Sequence, residues 1–189
     1  LFFPEKRKFF LERASIFDFK SDYNNNLFYS RKIGINDSQL IPIWGGVRLV
    51  GRLDEWDVGL LNMQSKQVGS IASENFGVFR LRKNVLNQRS YIGAMVTTRG
   101  MANGNWNFAY GLDGIFNLFN HDYLQVNLAT TDDTQDTSEM KSLEKSRIYM
   151  KWEKRIINGF GYTFSYSHVG NDFNPGLGFE RRKNFFQLG

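Results

Sequence analysis

The stretch Trp106–Phe119, WNFAYGLDGIFNLF, decides how the rest of the chain is read. Trp106, Phe108, Tyr110, Leu112, Gly114, Phe116 and Leu118 take alternate positions, with Asn107, Ala109, Gly111, Asp113, Ile115, Asn117 and Phe119 between them. Side chains on a strand alternate faces with a period of two, so this segment has one greasy face and one mostly small or polar face. It also outruns the usual strand of about 5–6 residues in a soluble protein. A long strand, aromatic on one side and small or polar on the other, is the local signature of a transmembrane β-barrel.

Working outward, the alternation recurs. Leu124, Val126 and Leu128 oppose Gln125, Asn127 and Ala129; Ile148, Met150 and Trp152 oppose Arg147, Tyr149, Lys151, Glu153 and Arg155. Phe160, Tyr162, Phe164 and Tyr166 oppose Gly161, Thr163, Ser165 and Ser167, a second face that is small and hydroxylic where a soluble sheet would turn charges outward. The pattern predicts ten antiparallel strands, at 27–33, 47–53, 56–64, 76–83, 91–99, 106–119, 123–130, 146–157, 160–169 and 177–187. Tight turns are expected at Asp54-Glu55, at Asn120-His121-Asp122 and at Asn158-Gly159, the last a strong hairpin signal because both positions favour positive φ. Longer links at 34–46, 65–75, 100–105, 131–145 and 170–176 fall between them, with 84–90 of middle length. Short links at one end and long ones at the other are how up-and-down outer-membrane barrels are organised. Counting strands then puts residues 1–25, a lead-in segment, and the end of the last strand on the periplasmic side, with 26–189 forming the strands. The alternative is a soluble antiparallel sandwich or barrel that buries the same aromatics in a core and serves as a binding module.

Composition narrows the classes. Eighteen Phe, 8 Tyr and 4 Trp with 18 Gly and only 3 Pro favour extended strands. No apolar run approaches the roughly 18 residues of a membrane helix, and barrel strands, which alternate, average to a mean hydropathy such as the −0.43 here. The absence of cysteine removes disulfides, thiolate metal sites and cysteine nucleophiles together. The net charge of +5 is spread through the strands instead of gathered on one arm, which argues against nucleic acid as a partner. The chain starts at Leu1 with no initiator Met and no signal pattern, so a removed leader or a piece of a longer protein is expected.

Several stretches carry a resemblance: FFPEKRKFFLERASIFDF at 2–19, LFYSRKIG at 27–34, WGGVRLVGRLDEWDVGLLNMQSK at 44–66, SENFGVFRLRKNV at 73–85 and VGNDFNPGLGFERRKNFF at 169–186. Together they resemble the C-terminal β-barrel region of a large, functionally uncharacterised family of outer-membrane proteins common in Bacteroidetes. Members typically carry, upstream, a β-sandwich resembling a family-nine carbohydrate-binding module. The resemblance implies an outer-membrane location, contact with outer-membrane lipid, and a non-catalytic role in passage or surface binding of a solute, glycans included. The sandwich is absent here, so its sugar binding does not transfer. The family's barrels look longer than ten strands, and this chain ends Gln187-Leu188-Gly189 without a closing aromatic, so a fragment of a bigger barrel is the expectation. The family offers no catalytic residues to carry over.

Candidate chemistry is sparse. His121 and His168 have no second ligand at metal spacing, and neither a Gly-x-Ser-x-Gly elbow nor a phosphate-cradling Gly-x-x-x-x-Gly-Lys is present. No enzyme, cofactor or metal is therefore expected. Asp132, Asp133, Asp136 and Glu139 could offer carboxylates to Ca²⁺, against the plainer reading of a solvated loop. Asp113, Arg147, Lys151, Glu153 and Arg155 are the candidate lumen-lining charges, since such rings select the permeant solute. The plainer reading is that they pair with one another or with the N-terminal segment in a plugged interior. Lys6, Arg7, Lys8, Phe9, Phe10 and Arg13 form a basic aromatic strip suited to an anchor, a lumen plug or a partner contact. Trp106, Phe108, Tyr110, Phe116, Trp152, Phe160, Tyr162, Phe164 and Tyr166 are the candidate lipid-facing and girdle residues. The runner-up role is a closed barrel that anchors or scaffolds an envelope complex with other envelope proteins.

Overall fold

The computed structural model describes residues 4–19, 21, 25–36, 39–119, 121–134, 143–156 and 158–189. The chain is all-β. Two short strands, β1 (Ile35–Asn36) and β2 (Gln39–Leu40), form a small ladder. They lead into a sheet of nine antiparallel strands in sequence order. These are β3 (Ile43–Leu53), β4 (Trp56–Ser65), β5 (Glu74–Asn84), β6 (Tyr91–Met101), β7 (Trp106–Phe119), β8 (Asp122–Asp133), β9 (Ser146–Lys154), β10 (Thr163–Val169) and β11 (Phe185–Leu188). The deciding stretch at 106–119 is one unbroken strand, as its alternation demands.

Two expected strands differ most. Residues 27–33 join no sheet: Ser30–Lys32 form a 3₁₀ turn, and Leu27 and Phe28 are both buried. Two adjacent apolar side chains cannot both face a core from a regular strand, so the segment bends. Its backbone partners lie in the expected last strand, with the Tyr29 N–H donating to the Leu177 carbonyl at 2.7 Å and Asn26 bridging to Phe179. That claim on 177–179 shortens the final strand to Phe185–Leu188. The sheet therefore has nine strands, and β3 starts at the opposite end from the Asp54-Glu55 turn. The chain therefore enters the sheet at the end opposite the Asp54-Glu55 turn, where a strand at 27–33 would have it enter at the same end.

The links are less uneven than expected. At the end of the Asp54-Glu55 turn lie 54–55, 85–90, 120–121 and 155–162; at the other lie 66–73, 102–105, 134–145 and 170–184. The Asn158-Gly159 turn thus sits inside a longer link, because β9 stops at Lys154. A backbone bond from the Lys154 N–H to the Tyr162 carbonyl at 2.9 Å extends the pairing.

The core lies between the sheet and the lead-in. Phe10, Ile16, Phe17, Phe19, Leu27, Phe28 and Ile33 pack against Leu61, Met63, Phe76, Val78, Met95, Ala109 and Ala129, which share one face of the sheet. Two glycines allow the approach: a Cβ at Gly59 would stand 2.9 Å from the Phe17 ring, and one at Gly111 would stand 2.6 Å from that of Phe19. One face of the sheet is thus covered by the chain's own N-terminal segment.

Candidate functional site

The two faces of the sheet carry opposite chemistry. On the bare face, register brings Gly51, Val58, Leu81, Ala94, Leu112, Leu128, Ile148, His168 and Phe186 side by side across all nine strands. The adjoining row, Leu53, Trp56, Lys83, Ile92, Gly114, Val126, Met150, Tyr166 and Leu188, carries a single charge. Leu49, Leu112, Phe164 and Phe186 are more than half exposed, at 61, 55, 63 and 74 %. An apolar surface this continuous marks a protein, ligand or membrane contact and not an ordinary wet surface.

The candidate girdle residues belong to this bare face. Trp106, Phe108, Tyr110, Phe116, Trp152, Phe164 and Tyr166 alternate onto it from β7, β9 and β10. Phe160 and Tyr162 lie just before β10 and continue a run of tilted rings, Phe160–Tyr162 at 6.5 Å and Tyr162–Phe164 at 5.7 Å. Trp152 meets Tyr162 edge-on, and the Tyr162 hydroxyl donates to Asp122. An aromatic body with its polar tip tied to a carboxylate suits a boundary between an apolar and a wet phase.

The covered face holds most of the buried charges among the described residues, in separate groups instead of one ring. Asp113 is at the centre: its carboxylate accepts from Arg80 Nη1 at 2.5 Å and Nη2 at 2.7 Å, and from the Tyr91 hydroxyl at 3.1 Å. Arg80 is 0 % exposed, and it also donates to the lead-in carbonyls of Ile16 (3.2 Å) and Asp18 (3.1 Å) beneath the Phe19 ring. This bidentate pair locks the lead-in onto the sheet, because an unmatched buried guanidinium would be costly. Arg147 pairs with Glu180 at 3.2 Å, both buried. Lys151 and Arg155 share Glu153, and Arg155, beyond the end of β9, stacks over Tyr123 at 4.4 Å.

Neither a scan of family models nor searches of curated proteins and of solved structures found a match to this chain.

Residues outside the sequence candidates complete the charged face. Asp57 accepts from Arg52 (2.6 Å) and Arg82 (3.1 Å), and Glu74 accepts from Arg99 at 2.8 and 2.9 Å. Arg80 had a signal of its own: it shares an alternation face with Phe76 and Val78, and a charge next to apolar neighbours asks for a buried partner. Its pairing with Asp113, 33 residues away, had none.

Of the basic aromatic strip, Phe10 enters the core while Phe9 stays exposed. Arg7 closes a clasp, reaching Glu5 at 2.8 Å, the Ser30 carbonyl at 2.8 Å and the Ile33 carbonyl at 3.0 Å. Burial alone would raise the Glu5 pKa. The donors from the Arg7 side chain, the Ser30 hydroxyl at 2.6 Å and the Arg7 backbone outweigh it and hold the carboxyl at about 2. In the acidic link, Asp132 faces Lys145 at 3.8 Å; Asp136 and Glu139 lie outside the described residues. His121 sits in an exposed turn, and the His168 ring lies 3.2 Å from the Leu143 carbonyl. Among the described residues no three His, Cys, Asp or Glu side chains gather as a metal site would require.

Proposed function

We propose that this chain forms the wall of a bacterial outer-membrane β-barrel, non-catalytic, whose bare face meets lipid and whose covered face handles a solute. The observation that carries the reading is the back-to-back arrangement across nine strands: exposed apolar rows on one face, buried ion pairs and the chain's own lead-in on the other. In water an exposed Leu-Phe-Trp surface of that extent is an aggregation hazard, whereas in a bilayer it is the required exterior. The sequence resemblance points the same way and adds glycans to the candidate solutes. A soluble sandwich would bury that apolar face under a second sheet, and the core lies on the other side.

Lipid forbids open sheet edges, since each unpaired backbone group there is expensive. β3 and β11 run in the same direction in this nine-stranded order. They close on each other through a parallel seam, or antiparallel through an odd number of intervening strands. The test is whether the full-length protein fractionates with outer membranes and migrates differently on a gel with and without heating. A soluble protein without the shift refutes the barrel.

A second reading is favoured by the lead-in. Packed Phe and Ile side chains and the Arg80 lock obstruct the covered face, as expected of a sealed barrel that anchors or scaffolds an envelope complex with other envelope proteins. Conductance in a planar bilayer separates the two: solute-dependent steps support passage, and a permanently silent barrel supports the anchor.

A further inference from the structure

Two crevices adjoin between the lead-in and the covered ends of β3–β5. One, about 230 Å³, opens among Glu12, Arg13 and Arg48; the other, about 340 Å³, runs from Arg13 to Arg52, Asp57 and Arg82. Arg13 lines both. Four guanidiniums thus face two carboxylates.

Three of the four also hold the structure together. Asp57 takes Nε and Nη2 of Arg52 and Nη2 of Arg82; Arg48 gives Nη1 and Nη2 to the Phe9 and Glu12 carbonyls; Arg82 Nη1 reaches the Ser15 carbonyl at 3.4 Å. A guanidinium has five N–H donors, so each of these keeps donors to spare. Arg13 is different. It is exposed, and among the described residues it has no side-chain hydrogen bond or ion pair. Its backbone is held left-handed at φ 44°, a region that costs an L-residue energy. The crevices together carry four guanidiniums against the carboxylates of Glu12 and Asp57, an excess of two positive charges that an anion would balance, and Arg13, on a strained backbone, is the cation with no structural partner.

We propose that the two crevices form one oxyanion site, taking the phosphate or carboxylate group of a small solute between Arg13, Arg48, Arg52 and Arg82. Arginine suits this because its planar fork matches both groups in bidentate geometry. The site deepens the solute-handling part of the function proposed above and is independent of membrane insertion, since described residues of this chain build all of it.

The experiment titrates inorganic phosphate into the folded full-length protein at low salt by calorimetry. Saturable binding is expected. Arg13→Asn, which removes the charge but keeps a residue tolerant of left-handed backbone, should weaken it about tenfold or more, with Arg13→Lys between the two. Circular dichroism should be unchanged and the unfolding midpoint no lower, since the Arg13 side chain holds nothing and asparagine tolerates the left-handed backbone. No saturable binding to the wild type, or equal affinity in Arg13→Asn, overturns the site. Displacement of phosphate by short-chain phosphatidylglycerol but not by soluble phosphate monoesters overturns the solute assignment in favour of a lipid headgroup. Because the titration is read on folded protein in micelles or buffer alike, its failure is separate from failure of the gel-shift test of the barrel.

Discussion

Replacing Leu112 by arginine separates a lipid-facing sheet from a wet one. Leu112 lies near the middle of the fourteen-residue β7, between Ala94 and Leu128 in the central bare row, and is 55 % exposed. It has about 20 Å of strand on either side at roughly 3.4 Å per residue, so an arginine there is far from either rim. If water bathes this face, a half-exposed leucine exchanged for arginine costs within about 0.5 kcal/mol. If hydrocarbon does, the cost at the bilayer midplane is about 2–4 kcal/mol, falling to about 0–1 kcal/mol near the interfaces. Phe119, at the end of the same strand and 70 % exposed, provides the rim control. The assay is reversible urea unfolding of the full-length protein from phosphatidylcholine vesicles, followed by tryptophan fluorescence and by the heat-dependent gel shift. Leu112→Arg should lose at least about 2 kcal/mol and Phe119→Arg no more than about 1 kcal/mol. Equal, sub-0.5 kcal/mol effects at both positions would refute the lipid-facing assignment of the bare face.

Asp113→Asn, one residue along on the opposite face, leaves the Arg80 charge buried and uncompensated. A loss of about 3–5 kcal/mol is expected in the same unfolding assay. The double variant Arg80→Met with Asp113→Leu should recover most of that loss while making residues 5–33 easier to cut by limited proteolysis, because the Ile16 and Asp18 carbonyls lose their donor. Gly59→Ala places a methyl against Phe17 and should cost about 1–3 kcal/mol, with partial rescue by Phe17→Leu; an unchanged midpoint would mean the lead-in does not sit there. Glu5 supplies a pH dependence: its folded pKa of about 2 lies below the ordinary 4.5, so its contribution is complete above pH 4.5. That contribution fades as pH falls toward about 2. Protection of the lead-in from hydrogen exchange should weaken over that window in the wild type and be flat in Glu5→Gln.

What the sequence determined by itself is the alternation. A period of two is a local property, because neighbouring Cβ atoms on a strand point apart whatever surrounds them, so 106–119 and the two faces of β7 to β10 were readable residue by residue. The antiparallel order followed, since tight turns such as Asp54-Glu55 leave adjacent strands no other arrangement. What only the tertiary structure decided is which segments compete for the same backbone partners and which charges meet. A strand is expected at 27–33, yet the segment bends because Leu27 and Phe28 both enter the core and the Tyr29 N–H finds Leu177. Asp113 was visible as a charge on a small-residue face, but Arg80 lies two strands away and its lock on the Ile16 and Asp18 carbonyls spans more than sixty residues. Such pairs are set by register and by the burial that makes an unpaired charge intolerable, and neither is written in the spacing of any one strand.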